Sequence, residues 1–282
     1  MSGSGWKASL RRLPFYLVVA LIVVYALTPF IWALSTSFKT EDDLFGAARL
    51  FPRDPTTKNY VYVLGDAGFM SSLVNSVIVA GGSSLLALTA GSLAAYALGR
   101  LRFRGKTPML YAVLAMTMFP QISILSGLYL TVRELNIYGT QAAMLFAYPL
   151  FTLPFSTWVL TSFFRGLPRE IEEAAIVDGA TTAQILARIL LPLTVPALVT
   201  TGLLTFIVSW NEYLLARSFT VTNPSAQTVP VAMAQFAGIV EQQEPIAEIM
   251  AAAMIVTLPL VVLVLVFQQR IAAGLTAGSV KG

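Results

Sequence analysis

The sequence predicts an all-α membrane protein with six transmembrane helices, on the evidence of its composition and its long apolar stretches. Of its 282 residues, 56% are hydrophobic and only 11% are charged, whereas soluble domains carry about 25% charged residues. The mean hydropathy is +0.75. A helix needs about 20 apolar residues to cross the hydrocarbon core of a bilayer, and stretches of that length recur along the chain. Lipid is therefore the expected solvent.

Six of the apolar stretches predict spans. Residues 218–240 form a seventh long stretch without Asp, Glu, Lys or Arg, but its polar side chains and two prolines suit a lipid-facing helix poorly. We interpret it as part of an outer loop over residues 217–247. The remaining stretches predict a single transmembrane domain over residues 1–282, with spans at about 14–36, 72–99, 108–131, 141–164, 193–214 and 248–269. The first span is too long for the apolar core of a signal peptide, so we expect it to remain as an anchor.

The basic residues predict the orientation of these spans. With six spans, both termini lie on one side, and twelve of the eighteen Lys and Arg residues fall on that side. The clearest group is the sequence RLRFRGK at residues 100–106. Because basic loops stay in the cytoplasm, we expect both termini and the loop at residues 165–191 to be cytoplasmic.

The missing residue types argue against catalysis. The chain contains no Cys and no His, so it has neither a thiolate site nor the commonest general base and metal ligand. The net charge of +4 comes from basic residues between apolar runs and does not indicate nucleic-acid binding. We expect no metal site, no nucleic-acid partner and no enzymatic activity in this chain.

The cytoplasmic loop after the fourth span predicts a helix–turn–helix. Acidic residues crowd the start of its first helix, where the helix dipole favours anions, namely Glu170, Glu172 and Glu173. Asp178 and Gly179 form a turn signal, and Gly179 is expected to have a positive φ. Thr181 and Gln184 have the spacing of a capping box that starts the second helix.

Two interpretations of this loop remain open at this point. Ala174 and Ala175 are small, so another protein could approach the first helix closely, and the glutamates could pair with basic residues of that partner. The alternative is an amphipathic helix lying on the membrane surface. Acidic residues are poor partners for anionic lipid, which favours the protein partner.

A longer motif in the same loop resembles a known family. Glu173-Ala-Ala, then three residues, Gly179, nine residues and Ile189-Leu-Leu-Pro192 is similar to the cytoplasmic loop of permease subunits in binding-protein-dependent ABC importers. Other segments resemble the carbohydrate-uptake branch of the maltose-transporter type, and the resemblance covers nearly the whole chain. These are KNY at 58–60, NS at 75–76, AAYALGR at 94–100, MFP at 118–120, LPF at 153–155, WNEY at 210–213 and the tail at 274–282.

The resemblance implies the ABC type I importer permease fold and its partners. The chain would be the shorter, six-span permease in a bacterial cytoplasmic (inner) membrane. It would assemble with a second permease subunit, a dimer of ATP-binding subunits and an extracytoplasmic sugar-binding protein. ATP and Mg would bind to the ATP-binding subunit, and this chain would bind no cofactor. The coupling helix would cover residues 171–178, with ATPase contacts at Glu172, Glu173, Ala174, Ala175, Asp178, Gly179 and Ala180.

Two further sites follow from the resemblance and from intramembrane polarity. The outer loop resembles the segment that reaches into the sugar-binding protein, which would place contacts at Gln235, Phe236, Ala237 and Gly238; a plain solvent-exposed connector is the alternative. Polar groups inside a membrane indicate function, so Asn211 and Glu212 are candidates for the substrate pathway, and Phe119 is a candidate because its ring could stack on a sugar. Their alternatives are helix packing for Phe119 and structural hydrogen bonding for the other two.

Three other classes of membrane protein fit the sequence less well. An ion-coupled secondary transporter needs ion-coordinating groups at mid-span, and spans one to four and six contain no ionised side chain. A channel needs a filter sequence or a charged pore stripe, and an embedded enzyme needs reactive groups. The resemblance implies a disaccharide such as trehalose or maltose as the substrate, with an oligosaccharide or glycerol phosphate as alternatives.

Overall fold

The computed structural model describes residues 4–46, 49–238 and 245–277, and every regular element within these ranges is a helix. Side chains are described for Arg12 and for residues 14–46, 49–235 and 245–269. The helices before the predicted cytoplasmic loop are α1 (Ser4–Ser37), α2 (Glu41–Phe45), α3 (Lys58–Gly65), α4 (Ala67–Gly99), α5 (Lys106–Thr117), α6 (Gln121–Glu134), α7 (Gln141–Ala147) and α8 (Pro149–Gly166). The all-α prediction is confirmed.

The loop and the last part of the chain contain the remaining helices. They are α9 (Glu170–Val177), α10 (Thr182–Gln184), α11 (Leu191–Leu193), α12 (Val195–Trp210), α13 (Leu214–Thr220), α14 (Val229–Gly238) and α15 (Ile246–Ala277). A π-helix, Ile185–Leu190, joins α10 to α11, and a 3₁₀ turn, Pro224–Ala226, precedes α14. Residues 217–247, predicted as an outer loop, therefore include the end of α13, a 3₁₀ turn, α14 and the start of α15.

Four helical segments are long and apolar enough to cross a membrane: Pro14–Ser37, Ala67–Gly99, Gln141–Gly166 and Ile246–Gln269. Two more qualify only as bent pairs. Lys106–Thr117 and Gln121–Glu134 meet at 94°, and Thr182–Leu193 and Val195–Trp210 meet at 78°. Counting each pair as one span gives six. Pro120, which cannot donate a backbone hydrogen bond, lies at the first bend. An apolarity pattern does not report such changes of direction.

The described chain divides into two compact units, and the first comprises residues 1–66 and 236–257. Asn59 is a buried polar residue of this unit, and its side-chain amide donates to the carbonyls of Ser37, at 2.9 Å, and Lys39, at 3.0 Å. The Lys39 ammonium donates to the carbonyl of Arg49 at 2.8 Å. These bonds fold the segment after α1 back against the end of that helix.

The second unit comprises residues 67–235 and 258–282, and α4 packs along α8 and α12 within it. Glycines allow this close approach. A Cβ added at Gly91 would lie 3.0 Å from the Ser156 Cβ, and one added at Gly99 would lie 3.2 Å from the Phe164 Cβ. On the α12 side, a Cβ at Gly202 would lie 2.9 Å from the Leu88 Cδ1. Small residues at helix contacts are a common device in membranes.

A buried apolar cluster in this unit anchors the predicted cytoplasmic loop. It joins the C-terminal half of α4 and the end of α8 to α9 and to the helical turns that follow α9. Its buried members are Ala95, Tyr96, Leu160, Phe164, Ala175, Ile185, Leu186, Leu190 and Ala197. The cluster holds the loop against the ends of two membrane helices.

Candidate functional site

The candidate site is the predicted cytoplasmic loop, and its first helix, α9, ends in a geometry set by Gly179. The amide of Gly179 donates to the carbonyl of Ile176 at 3.0 Å, and the amide of Ala180 donates to that of Ala175 at 2.9 Å. This pair of bonds is a Schellman motif, which requires a left-handed residue at the position of Gly179. Its φ is +79°, as the sequence predicts. The helix begins one residue earlier than expected, at Glu170.

A capping box starts the second helix of the loop, as predicted from Thr181 and Gln184. The Thr181 side chain accepts from the Gln184 amide at 3.4 Å, and the Gln184 side chain accepts from the Thr181 amide at 2.8 Å. Both bonds satisfy amides that a helix start leaves without partners. The helical turns then continue through Leu193, so the turn between the two helices is short and fixed at both ends.

The predicted contact residues of α9 face in different directions. Ala175 is buried in the apolar cluster, which differs from the expectation that both alanines face a partner. Glu173 and Ala174 are exposed, as are Asp178 and Gly179, and Ala180 is half-buried. Sequence reasoning also missed two apolar residues of this surface: Ile176 is 61% exposed and Val177 is 87% exposed.

Glu172 is engaged within its own chain. Its Oε1 lies 2.6 Å from the Nε of Arg100, and the side chains of these residues are 17% and 3% exposed, respectively. The same guanidinium donates through Nη2 to the carbonyls of Leu167 at 2.9 Å and Pro168 at 3.4 Å. Glu172 is therefore not free to pair with a partner in this conformation, whereas Glu173 is exposed.

Basic side chains cap the C-terminal end of α4, next to the loop. The Lys106 ammonium donates to the carbonyls of Gly99 at 3.0 Å and Leu101 at 3.1 Å, and Arg165 donates to the carbonyl of Leu98 at 3.3 Å. The last carbonyls of a helix lack partners within it and carry a partial negative charge. The basic group that indicates orientation in the sequence thus also completes a helix end.

Hydrogen bonds fix the polar segment before α14 to the N-terminal half of α4. The Asn75 amide donates to the carbonyls of Ser225 and Gln227, each at 2.8 Å, and its Oδ1 accepts from Gln141. The Ser76 hydroxyl accepts from the amide of Val229 at 2.7 Å. This part of the predicted outer loop is therefore not a free connector.

The predicted binding-protein contacts lie at the end of α14. Gln235 is half-buried and helical. Phe236, Ala237 and Gly238 continue the helix, but their side chains lie outside the described residues, as do residues 239–244.

The three predicted pathway residues lie in different environments. Phe119 is 57% exposed in the bend between α5 and α6. Asn211 is exposed and its amide donates to the carbonyl of Ile207 in its own helix at 2.8 Å, so that bond does not cross between helices. Glu212 is buried, and its two carboxylate oxygens accept from the amides of Leu215 at 2.8 Å and Ala216 at 3.0 Å. Glu212 thus caps the start of α13, and this geometry favours a structural role over substrate contact.

The fold and the loop define the class of protein. Residues 87–277 match the family model of the binding-protein-dependent transport system inner membrane component. The match spans more than half of the chain, so the chain belongs to this family of transport subunits. It is a component of an inner membrane, and its family transports solutes rather than catalysing a reaction on them.

Two relatives narrow the class to sugar permeases of ABC importers. The chain is 40% identical to the trehalose transport system permease protein SugB of Mycobacterium tuberculosis, over 96% of this chain and 99% of the relative. It is 42% identical to the trehalose/maltose transport system permease protein MalG of Thermococcus litoralis, over 97% and 98% of the two chains.

A solved structure shares the fold. A bacterial ABC transporter involved in the import of the acidic polysaccharide alginate contains a chain that matches 95% of this chain and 99% of its own length, with a TM-score of 0.78 and 22% identity. The predicted ABC importer permease fold is thus confirmed.

Proposed function

We propose that this chain forms, with a second permease subunit, the translocation pathway of an ATP-driven importer for a disaccharide such as trehalose or maltose. ATP and Mg would bind to separate ATP-binding subunits, and closure of that pair would move the permease helices through α9. An extracytoplasmic sugar-binding protein would deliver the substrate, and both termini would lie in the cytoplasm.

The exposed surface of α9 carries the proposal. Ile176 and Val177 expose most of their apolar surface beside the carboxylate of Glu173. Apolar side chains grouped on an exposed surface mark contacts with other proteins, and a carboxylate at the rim adds charge complementarity to a basic partner. Glu173, Ala174, Asp178 and Gly179 would contact the ATP-binding subunit directly, whereas Glu172 and Ala175 would hold α9 in place.

The contacts with the binding protein and the substrate pathway are proposed at other parts of the chain. The segment before α14 is held on α4 by Asn75 and Ser76, so α14 starts from a fixed base. We place the binding-protein contact at Gln235, Phe236, Ala237 and Gly238. Phe119 and Asn211 are exposed and remain the proposed pathway residues.

The similarity to the trehalose and trehalose/maltose permeases supports the choice of substrate. The test is uptake by proteoliposomes that contain this chain, its genomic partner subunits and the binding protein. We expect labelled trehalose or maltose to accumulate with ATP inside the vesicles and not with a non-hydrolysable ATP analogue. Excess maltotriose or glycerol phosphate should not compete.

The same assay identifies the alternatives. Uptake of only a longer oligosaccharide or glycerol phosphate would support the assignment as an importer and contradict the proposal that its substrate is a disaccharide. Uptake driven by a proton or sodium gradient without ATP would overturn the ABC importer and support a secondary transporter.

A further inference from the structure

Arg100 differs from the basic residues around it. It directly follows the last residue of α4, and its side chain is only 3% exposed. Arg102 and Arg104 belong to the same basic group, yet both are exposed. The positive-inside rule explains basic residues in the cytoplasm, but it does not explain why one of them is buried against the loop at residues 165–191.

The contacts of Arg100 join the end of α4 to the start of α9 and to the residues that follow α8. One guanidinium nitrogen pairs with Glu172 in the first turn of α9, and another donates to the carbonyls of Leu167 and Pro168, which follow α8. A guanidinium presents its donors in a rigid planar fork, so the two hydrogen bonds from Nη2 fix its direction, and the contact between Nε and Glu172 is a close ion pair. The apolar cluster that contains Tyr96 of α4 and Ala175 of α9 packs the same two elements together.

The opposite half of α4 is also fixed to another part of the unit. Asn75 and Ser76 hold residues 225–229 through three hydrogen bonds of 2.7 to 2.8 Å. At a rise of 1.5 Å per residue, the helix between Ser76 and Arg100 is ~36 Å long, and the hydrocarbon core of a bilayer is about 30 Å thick. One helix therefore carries polar anchors near both of its ends.

We propose that Arg100 is a positioning residue that makes α9 and α4 move as one body. A displacement of α9 by the ATP-binding subunit would then pass along α4 to residues 225–229, at the base of α14. This inference rests on the proposed function of α9 and deepens it, because Arg100 would act through Glu172 and would not contact the partner. Without the pair, ATP hydrolysis would continue, but α4 would move less than α9 does.

The test uses the complete importer in proteoliposomes, with Arg100→Gln, Glu172→Gln and the double variant. The readout is sugar transported per ATP hydrolysed, normalised to assembled complex. We expect each single variant to lower this ratio several-fold. The double variant should resemble the Arg100→Gln variant, because two residues that act as a pair are not additive. Arg102→Gln removes an exposed arginine two positions away and should leave the ratio unchanged.

Three outcomes would overturn the inference. If Arg100→Gln reduces the amount of assembled complex but leaves the ratio at the wild-type value, the residue is only structural. If the double variant shows the product of the two single effects, Arg100 and Glu172 act independently. If the wild-type chain neither assembles with an ATP-binding subunit nor transports sugar with ATP, the proposed function fails and the inference fails with it.

Discussion

At the scale of single residues, Gly179 determines how the loop at residues 165–191 turns after α9. Its φ of +79° lies in the left-handed region, where a residue with a Cβ costs about 1–2 kcal/mol more than glycine. Space is not the constraint, because an added Cβ would meet nothing within 4 Å. Backbone conformation alone therefore explains the glycine.

Replacement of Gly179 by alanine should weaken the turn without a steric clash. We expect a moderate loss of binding-protein-stimulated ATP hydrolysis in the reconstituted complex, because α9 would be held less firmly. Gly166→Ala is the matched control: that glycine is also free of neighbours within 4 Å but lies in α8 without a positive φ. Equal effects of the two substitutions would contradict the role assigned to the backbone of Gly179.

Local signals in the sequence predicted much of this loop, whereas pairings between distant residues were not predictable. Gly179 and the Thr181–Gln184 box act within a few residues, so their spacing is enough to indicate their roles. The ion pair of Arg100 with Glu172 joins segments that are far apart in the sequence, and no periodicity reports it. The burial of Ala175 likewise depends on where α4 and α8 lie.

At the scale of elements, Asn75 connects α4 with the segment before α14. Asn75→Ala would leave the buried carbonyl of Gln227 without this donor and remove a second bond to Ser225. A lost buried bond and the unsatisfied group it leaves together cost about 2–4 kcal/mol. We expect a lower apparent melting temperature and faster labelling of a cysteine placed at Ala226, which is buried, since the chain has no native cysteine.

A nearby serine provides the control for this substitution. Ser71 lies on the same helix with an exposed side chain, so Ser71→Ala should change neither quantity. Normal labelling of the Ala226 position in the Asn75→Ala variant would show that other contacts hold the segment. The polar composition of this segment suggested a loop. Its hydrogen-bond partners, Asn75 and Ser76, lie far away in the sequence, so the composition could not indicate that the segment is fixed.

The contact between α4 and α8 provides a second test of element packing. Gly91→Val would place a Cβ 3.0 Å from the Ser156 Cβ and 3.4 Å from the Thr157 amide nitrogen, so the two helices would have to separate. Overpacking of this kind costs about 1–3 kcal/mol. We expect reduced yield and a lower apparent melting temperature. Gly81→Val on the same helix adds a Cβ where nothing lies within 4 Å and should be milder; equal losses would contradict this packing.

At the scale of the whole molecule, apolarity predicts six spans, and the described residues contain four single helices and two bent helix pairs of sufficient length and apolarity. The third and fifth predicted spans correspond to helix pairs bent by 94° and 78°. The second pair begins in the loop at residues 165–191 and continues into α12. The helical turns of the loop therefore lead directly into a membrane helix.

The most direct measurement of the central claim is ATP hydrolysis by the reconstituted complex, with and without the sugar-loaded binding protein, for the wild-type chain and for Glu173→Ala. Glu173 is exposed in the first turn of α9, so its removal should not disturb the fold, and co-purification checks assembly. We predict clear stimulation for the wild type and its loss or sharp reduction in the variant. A variant that assembles and is stimulated like the wild type would show that Glu173 does not transmit work between the ATP-binding subunit and the membrane, and would contradict the account.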